Sequence, residues 1–201
     1  MHWPVASGKF GNKIEYKKTW DSMTKLVKKG KTRHVGVSNF DPEQLEDLLV
    51  STSHPPSVHQ MELHPYLQQN EWIKYHASHG IHVTAYSPFA GTNPTYSKGE
   101  PPQLLNNTVV LDIAKKRKCT ATQVALQWAW SRGTSAIPKS SHESRISENY
   151  GALECKIEHE DIEKLNALGE YHHRFNNPTK GWGVPLYQGL EDSKGKHKEN
   201  S

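Results

Sequence analysis

The sequence predicts an α/β fold assembled from parallel βαβ units. Short β-rich stretches that end in polar residues alternate with longer stretches of helical periodicity from Thr32 to Gly169. Such alternation is how parallel strands joined by crossover helices read in sequence. No Gly-rich dinucleotide fingerprint follows any strand, which weakens the usual doubly wound nucleotide-binding reading and keeps a closed (β/α) barrel beside an open sheet.

The elements follow in order. Met1–Pro4 reads as a strand stub. Glu15–Lys31 is a helix with Trp20, Met23 and Val27 on one face. "TRHVGVSNF" (Thr32–Phe40) is a strand, and "DPEQLEDLLVS" (Asp41–Ser51) a helix. Asp41 suits its N-cap, Pro42 its first turn, and Leu45, Leu48 and Leu49 its buried face. Pro56–Pro65 is the next strand, Gln69–Gly80 a helix closed by Gly80, and Ile81–Gly91 a strand. Gly91–Gln103 is a loop by composition. Asn107–Cys119 and Thr120–Gly133 are helices, Thr134–Ser140 a strand, and Ser141–Leu153 and Glu158–Gly169 helices. Residues 1–190 are expected to hold the folded part, and 191–201, "EDSKGKHKENS", a disordered polar tail.

Composition bounds the function. At 201 residues the chain is long enough for a domain with a core, yet only 34% of it is hydrophobic, as if part of a core were missing or a tail were disordered. The net charge of +4 is mild, and lysines concentrate in Lys17–Lys31 and Lys194–Lys198. Without interleaved aromatics these read as a solvated helix face and a polar tail rather than a nucleic-acid surface. Cys119 and Cys155 form no CxxC pair, which argues against a disulfide framework and for a reducing cytosol. No apolar run approaches a membrane span and no signal-peptide core is visible, so the expected protein is cytoplasmic, with no membrane partner.

Three strand ends share a chemistry: Ser38-Asn39-Phe40, "QMELHP" (Gln60–Pro65) and "AYSPFAG" (Ala85–Gly91) finish in polar or aromatic residues. In a parallel barrel the C-terminal strand ends build the site. Together they suggest a site for a planar, amide-bearing ligand. "AIPKSSHESRISEN" adds a strand ending in Lys139-Ser140, followed by a helix carrying Arg145, Glu148 and Asn149. Cationic side chains beside a helix start, with its free amides and dipole, suit a phosphate.

The pieces "HWP", "GVSNF", "QMELHPYL", "AYSPFAG" and "IPKS…R…EN", in this order, resemble the aldo-keto reductases, and the chain looks fungal. "RFNNPTKGWGVPLYQ" is similar to the family's C-terminal substrate segment. The resemblance implies a (β/α)8 TIM barrel, of which this chain would supply the part from the end of the fourth strand onward. It implies NADP(H) as coenzyme and a small-molecule aldehyde or ketone as substrate, with a monomer as the expected state. It implies that His2 orients the substrate carbonyl and that Trp3, Phe89 and Trp182 line the substrate pocket. Ser38, Asn39 and Gln60 would hold the nicotinamide carboxamide, and Tyr86 would stack on its ring. Ser87 and Phe89 would lie along the pyrophosphate. Lys139, Ser140 and Arg145 would clamp the adenosine 2′-phosphate, and Glu148 and Asn149 would meet the adenine. His142 departs from the small hydroxyl or amide residue expected there. No metal site is expected: His172-His173 has no metal-ligand spacing to a partner.

The same resemblance places the family's catalytic Asp, Tyr and Lys ahead of "HWP", so His2 is the single tetrad member in this sequence. "MHWP" therefore reads as the middle of a fold, and the 201 residues by themselves are expected to show little turnover. A role in sugar or glycerol metabolism and one in tailoring a secondary metabolite are both compatible with the resemblance. The alternative is a catalytically inactive remnant of the family with a binding role or none.

Overall fold

A computed structural model describes residues 1–8, 11–92 and 101–190. The expected tail at 191–201 and the middle of the expected 91–103 loop lie outside the described residues. The element order is β1 (Val5–Gly8), β2 (Gly11–Ile14), α1 (Lys17–Lys28), β3 (Gly36–Ser38), α2 (Pro42–Ser51), β4 (Val58–Glu62), α3 (Asn70–Ser78) and β5 (His82–Tyr86). Then come α4 (Thr108–Arg117), α5 (Ala121–Ser131), β6 (Ser135–Ala136), α6 (Glu143–Tyr150), α7 (His159–Ala167) and α8 (Thr179–Trp182). The four expected interior strands and the seven expected helices are all present, with shorter bounds. The parallel sheet has the order β3-β4-β5-β6.

One strand was expected in the wrong place. Residues 1–4 form no strand; β1 starts at Val5 and turns back on β2 as an antiparallel hairpin, Val5 opposite Ile14 and Gly8 opposite Gly11. Pro4 lacks a backbone N–H for a ladder, and the Met1 ammonium instead donates to the Gly36 carbonyl at 2.6 Å.

The chain divides into two compact units. The first comprises residues 1–60, 69–82 and 177 onward. Its core gathers Trp20, Val37, Phe40, Leu45, Leu48, Trp72 and Ile81, all buried. The expected cap of α2 forms as a full capping box: the Asp41 carboxylate accepts from the Gln44 amide, and the Gln44 side chain accepts from the Asp41 amide. β3 pairs with β4 in parallel, Gly36 opposite Val58, Val37 opposite His59 and Ser38 opposite Gln60. Gly36 is obligatory here, because a Cβ at this position would lie 2.5 Å from the Val58 carbonyl oxygen.

The second unit comprises residues 61–68 and 83–176. Leu63, Tyr66, Ala85, Leu104, Val110, Val124, Leu126, Trp128 and Leu165 are buried in it. Thr120 caps α5 with a capping box of its own through Gln123. The Trp128 indole donates to Asn166 Oδ1 at 2.9 Å, and the Arg132 guanidinium lies 4.5 Å above the Trp128 ring.

The cysteine reading is overturned in this unit. Cys119 and Cys155 form a disulfide, with Cα atoms 5.7 Å apart. Their separation of 36 residues hides the proximity. Side-chain amides of α5 create it: Gln123 Nε2 donates to the Glu148 carbonyl at 3.0 Å, and Gln127 Nε2 donates to the Ala152 carbonyl. These bonds draw the end of α6 and the turn after it onto the start of α5, where Cys119 sits. The inference of a reducing compartment from the absent CxxC therefore loses its ground. Among the described residues no helix is long and apolar enough to cross a membrane.

Candidate functional site

In the first unit, the end of β3 and the facing end of β4 bring the expected amide-recognising residues together. Ser38 and Gln60 are register partners. Ser38 and Asn39 are buried, and Gln60 is half-buried. Asn39 takes a left-handed backbone, φ 61°, a conformation Asn tolerates better than other side-chain-bearing residues. This turn directs its amide into a network. Asn39 Nδ2 donates to the His2 carbonyl and to Ser38 Oγ, each at 3.0 Å, and Asn39 Oδ1 accepts from the Tyr187 hydroxyl at 3.4 Å. Since Ser38 Oγ accepts there, its own proton remains available to a further acceptor.

The same network fixes the segment bearing His2 and Trp3. His2 is exposed and Trp3 half-buried. The Trp3 ring stands edge-on to Trp182, centroids 4.9 Å apart, and edge-on to Tyr187 at 6.3 Å. Two of the expected pocket aromatics, Trp3 and Trp182, are thus in contact, and Tyr187 joins them. Tyr187 is buried and left-handed at φ 62°, and the next amide, Gln188 N–H, donates to Asp41 Oδ2 at 3.2 Å. Tyr187 is not among the site residues expected from the sequence. Its signal lies in "VPLYQ", a lone aromatic inside the segment that carries the family resemblance.

In the second unit, β5 ends at Tyr86, half-buried, and the chain then turns through Ser87 at φ 49° and Ala90 at φ 40°. Left-handed backbone at residues other than glycine costs energy, and such positions gather at functional sites. Phe89 is half-buried and Ser87 exposed. The turn closes on Gly91, where a Cβ would come within 2.7 Å of the Phe175 ring. Asn176 Nδ2 donates to the Tyr86 hydroxyl at 3.3 Å.

The expected phosphate clamp lies beyond β6. Lys139 and Arg145 are exposed, and among the described residues neither forms an ion pair. They flank the start of α6, whose N-cap His142 gives it no side-chain hydrogen bond. Ser140 Oγ accepts from the His142 amide at 3.1 Å. Uncapped amides with two nearby cations make a site for a dianion. Glu148 is already engaged: its carboxylate accepts from the Thr122 hydroxyl. Hydrogen bonds from Thr122 and Thr120 hold its carboxyl below the usual range. Asn149 is half-buried beside it. Among the described residues no cluster of His, Cys, Asp or Glu is arranged to hold a metal.

The model of the Aldo/keto reductase family matches residues 1–170. An uncharacterized oxidoreductase of Schizosaccharomyces pombe is 40% identical over 96% of this chain and 64% of its own length. Human aldo-keto reductase family 1 member A1 is 36% identical over 85% of this chain and 56% of its own. Among solved structures, a Bombyx mori aldo-keto reductase in complex with NADP superposes with a TM-score of 0.83 at 28% identity, covering 93% of this chain and 61% of that one. Aldose reductase from Giardia lamblia gives 0.82 at 30% identity, covering 93% and 66%. The chain thus spans about three-fifths of the length of the relatives it matches. With a family model over most of its residues and parallel α/β architecture superposing on the barrels of these enzymes, the chain belongs to the aldo/keto reductase family.

Proposed function

We propose that this chain contributes the coenzyme-holding and carbonyl-orienting part of an NADP-dependent aldo-keto reductase that reduces a small aldehyde or ketone to an alcohol. The observation that carries the reading is Lys139 and Arg145, two exposed cations that form no ion pair among the described residues, beside the uncapped start of α6. NADPH, when bound, supplies the hydride. Lys139, Ser140 and Arg145 would hold its 2′-phosphate, which NADH lacks, and Asn149 and Glu148 would border the adenine. Tyr86 would present its ring to the nicotinamide. The Ser38 hydroxyl and the Gln60 amide are the groups best placed to bind the carboxamide, because Asn39 already gives its amide protons to His2 and Ser38. His2 would donate a hydrogen bond to the substrate carbonyl oxygen, and Trp3, Trp182 and Phe89 would exclude water from it.

The test is a binding titration of the full 201-residue chain with NADPH and NADH, followed by coenzyme fluorescence. NADPH should bind at least about tenfold tighter, the size of effect that one charge-assisted hydrogen bond supplies. Lys139→Ala and Arg145→Ala should each weaken NADPH about tenfold, as removal of one such bond predicts, and leave NADH unchanged. Equal affinity of the unmodified chain for the two coenzymes would refute the phosphate clamp. So would variants that weaken NADH as much as NADPH. Because the resemblance puts the family's catalytic Asp, Tyr and Lys ahead of His2, binding rather than turnover is the decisive readout.

A further inference from the structure

We infer that Glu62, a residue with no part in the coenzyme or substrate contacts above, is a positioning residue that sets the hydroxyl end of Tyr86 through Asn176. The inference rests on the proposed role of Tyr86 against the nicotinamide ring.

Glu62 ends β4 and is wholly buried. A carboxylate so placed requires compensation from hydrogen bonds, and His64 and residues 175–176 supply them. Its Oε1 accepts from the Phe175 amide at 2.8 Å and from His64 Nε2 at 2.9 Å, and its Oε2 accepts from the Asn176 amide at 2.8 Å. Two successive backbone amides held by the two oxygens of one carboxylate fix both the position and the rotation of residues 175–176. Phe175 is pressed against Gly91 on one side and lies 5.6 Å from the His64 ring on the other. The next link is a side chain: with its backbone pinned, Asn176 reaches the Tyr86 hydroxyl through Nδ2 at 3.3 Å. A second tie acts at the root of the same ring, where the Leu63 amide, one residue after Glu62, donates to the Tyr86 carbonyl at 3.4 Å. Tyr86 is thus held from its backbone by the end of β4 and from its phenol by a segment that Glu62 locks. A ring that must lie flat against a ligand gains from both constraints, because rotamer freedom removed in advance does not have to be surrendered on binding.

The experiment uses the full chain and two probes. NADPH carries the nicotinamide; 2′,5′-ADP carries the adenosine and 2′-phosphate without it. Glu62→Gln keeps the shape but can accept through one oxygen only, so one backbone amide loses its acceptor. Asn176→Ala keeps the anchor and removes the link to the phenol; Tyr86→Phe removes the other end of that link. Each should weaken NADPH about fivefold and leave 2′,5′-ADP within about twofold, the loss expected for one ordinary hydrogen bond. Asn176→Ala combined with Tyr86→Phe should be no weaker than either alone, since both break one bond. Unchanged NADPH affinity in Glu62→Gln and Asn176→Ala would overturn the inference. So would a parallel weakening of both probes, which is what a merely structural role for Glu62 produces. If the unmodified chain binds neither probe, the coenzyme reading falls first and this inference with it. If it binds both and the variants match it, the inference alone falls.

Discussion

Two buried titratable clusters grow from β4, only three residues apart, and they solve burial in opposite ways. In the first unit His59 and His76 are both inaccessible to solvent. The Phe40 amide donates to His59 Nε2 at 3.2 Å, so His59 carries its proton on Nδ1 and donates it to His76 Nε2 at 2.6 Å. His76 in turn donates from Nδ1 to the Trp72 carbonyl. Each ring has one donor and one acceptor, and a second proton on either would face an N–H. The pair is neutral by construction, and burial pushes the His76 imidazole down to about 4. In the second unit burial pushes the Glu62 carboxyl up, but the hydrogen bond and charge of His64, the nearby Arg174 and the Phe175 amide outweigh it and hold the group below its usual range. One cluster avoids charge; the other keeps it and surrounds it. Removing a partner, or adding a proton, must therefore injure the two differently.

The largest effect is expected from the charged cluster. Glu62→Ala leaves the Phe175 and Asn176 amides and the His64 N–H buried without their acceptor, which costs about 4 kcal/mol. A denaturant midpoint shift worth less than about 1 kcal/mol, the size of a single ordinary hydrogen bond, would show that the carboxylate is not the anchor described. A slightly smaller effect separates the units by covalent chemistry. Both cysteines lie in the second unit, and a bridge closing a loop of this size stabilises by about 3 to 4 kcal/mol on the chain-entropy account. Reductant, or Cys155→Ser, should lower protection of the second unit's amides in hydrogen exchange and spare His59, His76 and their neighbours. A uniform loss across both units would show that they unfold as one.

Much of this fold was legible from periodicity and capping. Asp41-Pro42 marked its helix start because a capping oxygen and a fixed φ are local requirements. The pairing of β1 with β2 was not legible: "VASGKFGNKI" has few apolar residues to alternate, and no residue of β2 is buried. The disulfide escaped because its proximity depends on Gln123 and Gln127 grasping carbonyls some 25 residues away. In the candidate site, the motif resemblance named residues but not their contacts; the structure sets Ser38 opposite Gln60 and Trp3 against Trp182. Asn39 as a network centre, Tyr187 beside it and the link from Glu62 to Tyr86 were not, because each depends on a side chain's partner far along the chain.

Acid should separate the two clusters next. The His76 pKa is depressed on folding, so the unfolded chain takes up its proton first. Stability from this group is complete above about pH 6.5, falls as the pH drops toward about 4, and declines on the order of 3 kcal/mol across that window. Glu62, depressed in its turn, holds its contribution through most of this range and yields it only below the usual carboxylate pKa. His76→Gln should flatten the pH dependence between about 6.5 and about 4 while Glu62→Gln should not. A stability curve insensitive to pH in that interval for the unmodified chain would mean that the histidine pair is not held neutral.

The smallest expected effect tests the network that neither cluster supplies. Asn39→Ala removes an amide that serves the His2 carbonyl, Ser38 Oγ and the Tyr187 hydroxyl, and leaves an alanine at φ 61°. The backbone strain and the missing hydrogen bonds together are worth about 2 kcal/mol. Asn39→Gly relieves the strain but does not restore the hydrogen bonds, so it should recover about half of that. The partition between the two variants separates conformation from hydrogen bonding. If glycine restored full stability, Asn39 would be there for its backbone alone, and the alignment of His2 and Trp3 would have to come from the Trp3–Trp182–Tyr187 ring contacts instead.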